Sequence, residues 1–205
     1  GLADDNVVTV ISGASVQGDV TGGLAGEGDS SASHNTVLVQ NAFAGGSLYG
    51  GRTGTGGTAA GNSVIIGDGA SFSSATAFYG GFAGDSPVAA AGSGNTLFID
   101  SWQGSASRVA GFENLHFVLP APGAPVDVPM LTVTGAQSGD FDGSTVTAQL
   151  PEVIAGGLPY KGSTFVLLSD ASGAVAQASA GRLISLQQGY VTYYAGILEN
   201  PGTAV

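Results

Sequence analysis

Cysteine is missing from all 205 residues, which excludes thiol nucleophiles, cysteine-based zinc sites and disulfides together. Charge is almost as scarce. Only 9% of residues are charged, and four basic ones (Arg52, Arg108, Lys161, Arg182) stand against fifteen acidic ones, for a net charge of −11. That balance has the wrong sign for neutralising phosphates, so nucleic acid is not an expected partner. No apolar run reaches the roughly 20 residues of a membrane-spanning helix, so this segment is not expected to insert in a membrane. The start, Gly1-Leu2-Ala3-Asp4-Asp5, lacks the basic and apolar regions of a signal peptide. A processed chain or a piece of a longer one is the expectation.

What is present in quantity is glycine, 36 residues, together with 43% apolar residues. So much apolar area argues against disorder, and a weakly charged surface solvated by Ser, Thr and Asn suits short strands joined by polar turns better than amphipathic helices. An all-β chain is expected.

One pattern occurs three times: Asn, a short apolar strand, a polar turn, a second strand, then Gly-Gly. The copies start at Asn6, Asn35 and Asn62 and close at Gly22-Gly23, Gly50-Gly51 and Gly80-Gly81; a half-copy opens at Asn95. Strands such as Thr36-Val37-Leu38-Val39-Gln40 alternate apolar and polar residues, so one face is meant for burial. A two-strand unit cannot bury that face alone, whereas units stacked about 4.8 Å apart form a continuous core. The fold expected is therefore a short β-solenoid, a right-handed parallel β-helix, with a C-terminal β cap or small sheet. Residues 1–119 carry the repeats, 120–129 form a Pro-rich boundary, and 130–205 form a C-terminal β segment with strands near 130–134, 144–150, 163–168, 182–186 and 190–194. The Gly-Gly pairs are expected at corners, with Tyr49 and Tyr79 as plugs beside them; the recurrent Asn reads as a turn former or a member of an internal side-chain ladder.

These residues also resemble a known family. Asn-x-Val/Leu-x-Ile followed by Gly-Gly, the Tyr-Gly-Gly copies, and Gly111-Phe112-Glu113-Asn114-Leu115 are similar to the repetitive passenger regions of bacterial autotransporter proteins, over roughly residues 6–134. The resemblance implies a right-handed β-helix displayed outside a Gram-negative cell, with Pro129-Met130-Leu131-Thr132-Val133-Thr134 as a transition segment. The family's membrane β-barrel has no counterpart here, because too few residues remain for its strands.

Chemistry is sparse by comparison. His34 precedes a repeat Asn, and His116 lies in an apolar strand; neither sits in a catalytic motif. Gly84-Asp85-Ser86 and Gly28-Asp29-Ser30 resemble the opening of a lipase family, but Pro87 replaces its Leu and only Glu113-Asn114-Leu115-His116 approximates its Asp-x-x-His. Asp19, Asp68 and Asp100 recur near turns and are candidates for a stacked column, with solvated turn residues as the plainer reading. Asp140-Phe141-Asp142-Gly143 is a fragment of a calcium loop without its other ligands. No catalytic, cofactor-binding or metal residue is assigned, no cofactor is expected, and the chain is not expected to be an enzyme.

Three functions stay open at this point. The first is an extracellular structural or adhesive protein of the cell surface, acting on a host or matrix surface, or on copies of itself, through an extended face. The second is a filament or biofilm-matrix subunit that self-assembles through exposed strand edges. The third is a carbohydrate-active enzyme on a β-helix scaffold, which would need clustered carboxylates.

Overall fold

The structure is a computed structural model that describes residues 1–120, 128–135, 139–141, 143–149, 151 and 165–170, and the backbone alone of 183–188 and 191–196. Every regular element among them is a strand, and the chain winds as a parallel β-solenoid. Its largest sheet stacks six strands from successive coils: Val7–Ile11, Thr36–Gln40, Ser63–Ile66, Thr96–Asp100, Asn114–Val118 and Thr145–Gln149. Each joins the next in parallel, residue for residue, so Val8, Val37, Val64, Leu97, Leu115 and Val146 form one column. Val10, Val39, Ile66, Ile99, Phe117 and Ala148 form the next inward column. The period-two alternation thus becomes two continuous walls of the core. Full burial of each Val, Leu or Ile contributes about 1.5–3 kcal/mol, which a single coil could not realise.

A second face consists of short strands, Ser15–Val16, Phe43–Ala44 and Ser71–Phe72, and in later coils Gly104–Ala106, Leu131–Val133 and Leu168–Asp170. The third face stacks Val20–Leu24, Leu48–Thr53, Ala77–Ala83 and Arg108–Ala110, with Ser86–Pro87 folded back antiparallel on Phe82 and Ala83. Trp102, Phe72 and Phe78 pack as an aromatic knot in the core, centroids 5.0–6.4 Å apart, and Trp102 Nε1 donates to the Ala70 carbonyl at 2.8 Å. That bond satisfies the one polar atom the indole brings inside.

The recurrent Asn forms an internal ladder. The backbone N–H of Asn35 and its Nδ2 both donate to Asn62 Oδ1, at 2.9 and 3.1 Å. Asn62 does the same to Asn95 Oδ1 at 2.8 and 3.2 Å, and Asn6 to Asn35 Oδ1 at 2.9 and 2.8 Å. Asn35, Asn62 and Asn95 are completely buried. The residue before each Asn, namely Asp5, His34, Gly61 and Gly94, has φ between 59° and 67°. This left-handed kink turns the chain so that the Asn side chain points inward.

The Gly-Gly pairs face this ladder from the middle of the third sheet. They are not corner residues, and none has positive φ. A Cβ on Gly50 would come 2.7 Å from the Asn62 Cβ, and one on Gly51 would collide with the Ala32 carbonyl and lie 2.6 Å from Asn62 Nδ2. The pair is therefore small because the amide column occupies the room a side chain would take. Tyr49 and Tyr79 likewise stand on the outward side of strands rather than at corners.

The coil also continues beyond residue 119, where the repeat was expected to end. Thr145–Gln149 pairs in parallel with Asn114–Val118, and Leu131–Val133 and Leu168–Asp170 extend the second face. The signal fades because the ladder stops. Register places Glu113 and Ser144 after Asn95, and Gly111-Phe112 where the earlier coils have Gly-Gly. Once no amide needs the space, buried Phe112 fills it. Of the later strands expected from sequence, Leu183–Gln188 and Val191–Gly196 form an antiparallel hairpin. Residues 121–127, 150, 163–164, 182 and 190, on which the boundary and four of the expected strands partly fall, lie outside the described residues.

Substituting Asn62→Ala removes the Oδ1 that accepts both the Asn35 N–H and its Nδ2, and takes one donor from Asn95, in a buried site. The expected cost is about 2–4 kcal/mol in urea unfolding, against less than about 1 kcal/mol for Asn6→Ala, whose side chain is exposed. Gly51→Ala is expected to cost about 1–3 kcal/mol or more, whereas Gly26→Ala, with nothing within 4 Å of the added methyl, should leave the midpoint unchanged. Equal effects at the two glycines would rule out the packing account.

Candidate functional surfaces

The outward side of the six-stranded sheet carries two columns along its length. One is Thr36, Ser63, Thr96, Asn114 and Thr145; the other is Leu38, Ile65, Phe98, His116 and Thr147. Most of these residues are half-buried by their neighbours in the column. Phe98 and the His116 ring stack with centroids 4.8 Å apart and planes 24° from parallel, and His116 Nδ1 lies 2.7 Å from Thr147 Oγ1. His116 is thus a member of a surface column. Burial against this column pushes its pKa below the ordinary 6.5, against an opposing pull from a hydrogen bond with Gln149. The columns repeat with the coil spacing, and among the described residues of these strands Asp100 is the one carboxylate.

A second surface lies on the third sheet. The Tyr49 and Tyr79 rings stack at 5.0 Å and 19°, and Phe82 stands edge-on to both, at 5.4 and 5.1 Å. The Arg52 guanidinium carbon lies 5.1 Å over Tyr49 and 5.7 Å from Phe82, and that of Arg108 lies 6.0 Å from Tyr79. Burial, reinforced by the Asp19 carboxylate, raises the Tyr49 phenol above its usual range. The tyrosine faces are taken up by each other and by Arg52, which is the arrangement of a packing cluster rather than of an open sugar platform. Sequence reading found the tyrosines but missed Arg52 and Phe82. The signal was there: Tyr49-Gly-Gly-Arg52 and Tyr79-Gly-Gly-Phe82 place the fourth residue at one register position in adjacent coils.

The three candidate carboxylates do not make a column. Gly67 is in register with Asp100 at the end of the largest sheet, which puts Asp68 one position on; Asp19 precedes the third sheet and accepts the Ser47 N–H at 2.9 Å. The column failed because Asp19 follows the second strand of its coil, whereas Asp100 ends the first strand of its coil and Asp68 lies just past the first strand of its own. The Gly-Asp-Ser copies also differ: Ser30 is buried with its hydroxyl on the Gly26 carbonyl, while Ser86 is exposed in a returning strand. His34 is a left-handed corner residue whose ring covers Gly61. Asp4, across that corner, is held below the usual carboxylate range by the Ser33 N–H and the Ser31 hydroxyl. Among the described residues no three His, Asp or Glu side chains are grouped as metal ligands. Of the calcium-loop fragment, Asp142 lies outside the described residues.

No family model matches the chain, and no curated protein or solved structure matches it.

A histidine whose folded pKa is lowered resists protonation that the unfolded chain accepts. The unfolded state then binds more protons around pH 6, so stability falls as pH drops through 6.5 and levels off below the folded pKa. Thermal melts between pH 8 and pH 5 are expected to show this fall in the native chain and a smaller one in His116→Phe. An unchanged pH slope in the variant would remove His116 as its source.

Proposed function

We propose that this chain is an extracellular structural or adhesive coil of a Gram-negative surface protein, of the autotransporter-passenger kind, which binds through the outward face of its largest sheet. The observation that carries the reading is the pair of columns there, hydroxyls beside apolar and aromatic side chains, repeated from coil to coil. Such a face offers many equivalent weak contacts to a long, flat, weakly charged partner such as a matrix polysaccharide or a host glycoprotein. The contacts gain strength by being linked on one rigid body. The similarity of the repeat to passenger regions supports the location; the net charge of −11 disfavours anionic polymers.

Self-assembly is the second reading, favoured by the exposed apolar side chains Val7 and Ile11 on the first strand of the largest sheet. A catalytic reading would need the carboxylates brought together, and Asp19 stands apart from Asp68 and Asp100.

The test is retention on immobilised polysaccharides and matrix glycoproteins. Ser63→Lys with Thr96→Lys, which places long charged side chains in the middle of the hydroxyl column, is expected to reduce retention at least about tenfold with little change in melting temperature. Ser71→Lys on the second face should have no effect. Retention that is insensitive to the first pair and lost with Ser71→Lys would move the binding surface elsewhere.

A further inference from the structure

The amide ladder has a direction. Each Asn gives its backbone N–H and Nδ2–H to the Oδ1 of the Asn one coil further on. Its two ends are therefore different. At the far end Asn95 turns its Nδ2 to the carbonyls of Ala59 and Gly111, at 3.2 and 3.0 Å, and Phe112 packs beside it. That end is closed. At the near end Asn6 is exposed, and its Oδ1 accepts from no described residue.

The rest of the first coil matches this open acceptor. Three large apolar side chains are left exposed on it, Val7 and Leu24 at 69% and Ile11 at 44%, with Leu2 at 81% in the stretch just ahead of it, and only Val128 is comparable elsewhere among the described residues. Leu24, Val7 and Ile11 continue the columns that Arg52, Thr36 and Gln40 carry in the next coil. Residues 1–5 already run along residues 30–34 in coil register: Leu2 bridges Ser31 in parallel, and Ala3 N and Asp5 N donate to the carbonyls of Ser31 and Ser33. Residues 1–5 therefore hold the place of the closing stretch of a coil ahead of Asn6.

We propose that the open edge of the first coil is a seat for one further parallel coil of the same Asn-to-Gly-Gly class. The incoming coil presents an Asn whose N–H and Nδ2 meet Asn6 Oδ1, and its strands stack on Val7, Ile11 and Leu24, while Leu2 lies in the stretch that closes it. This continues the coil-to-coil interface that runs through the molecule. A second copy meeting edge to edge is disfavoured by the same polarity, since two such edges present acceptor to acceptor. A copy arriving by its other end would offer the coil of Thr145–Gln149, where Ser144 stands at the ladder position and its hydroxyl is already given to the Phe112 carbonyl. The inference is independent of the lateral binding face.

The experiment fuses a copy of residues 35–56 directly ahead of Gly1, so that residues 1–5 complete the added coil in the register of 57–61. The fused chain is expected to stay monomeric, to melt at least about 3 °C higher, and to exchange the amides of Val7–Ile11 at least about tenfold more slowly than the parent chain. The same fusion with Ala at the copied Asn should gain clearly less. A fusion that misfolds, or whose added coil is removed by limiting protease with no gain in protection, overturns the proposal. So does a parent chain that sediments as a dimer with Val7–Ile11 already protected, because a second copy would then hold the seat.

Discussion

An amide buried in an apolar core is tolerated only when its hydrogen bonds are complete, and here completion comes from the neighbouring coil. Each Asn Oδ1 takes two donors from the coil before it, so a ladder member is satisfied only if both neighbours stand in the right register. Slipping a strand by one residue would put Thr36 or Ser63 in the column and turn Val37 and Val64 outward. The apolar columns supply most of the free energy and the ladder fixes which alignment receives it. The other features of the coil follow: the left-handed residue ahead of each Asn aims it inward, and the Gly-Gly pair opposite leaves it room.

The same constraint explains where the repeat is visible and where it is not. Asn, alternating strand and Gly-Gly can be read from residue 6 onward because each has a role in one cross-section, and the solenoid inferred from them is the fold observed. After Asn95 the ladder ends, Gly-Gly becomes Gly111-Phe112, and the coil continues without its signature. Sequence spacing could not reveal a continuation held only by apolar columns and backbone pairing, interrupted by a Pro-rich stretch. The role of the glycines was misread for a related reason. A Gly pair at a corner and a Gly pair opposite a buried amide look alike in sequence, and only the close approach to Asn62 distinguishes them.

Surface chemistry was less legible than the core. Tyr49 and Tyr79 stood out because they repeat, but their partners Arg52 and Phe82 differ in type and share only register. Asp19, Asp68 and Asp100 shared a type and a proximity to turns, yet they belong to two different edges of the coil. Residue type repeats where the core demands it, while outside it register alone decides what meets. His116 shows the same thing: alone in sequence, it is stacked on Phe98 one coil away. A surface built this way distributes its contacts along columns, which favours extended partners over small ligands.

The ladder can be tested directly in the native chain by hydrogen exchange of side-chain amides, followed by NMR. If the ladder sets the stacking, the Nδ2 protons of Asn35 and Asn62 exchange only on the timescale of global unfolding, while those of exposed Asn114 exchange with solvent at once. Fast exchange at Asn35 and Asn62 in an otherwise folded chain would contradict the account.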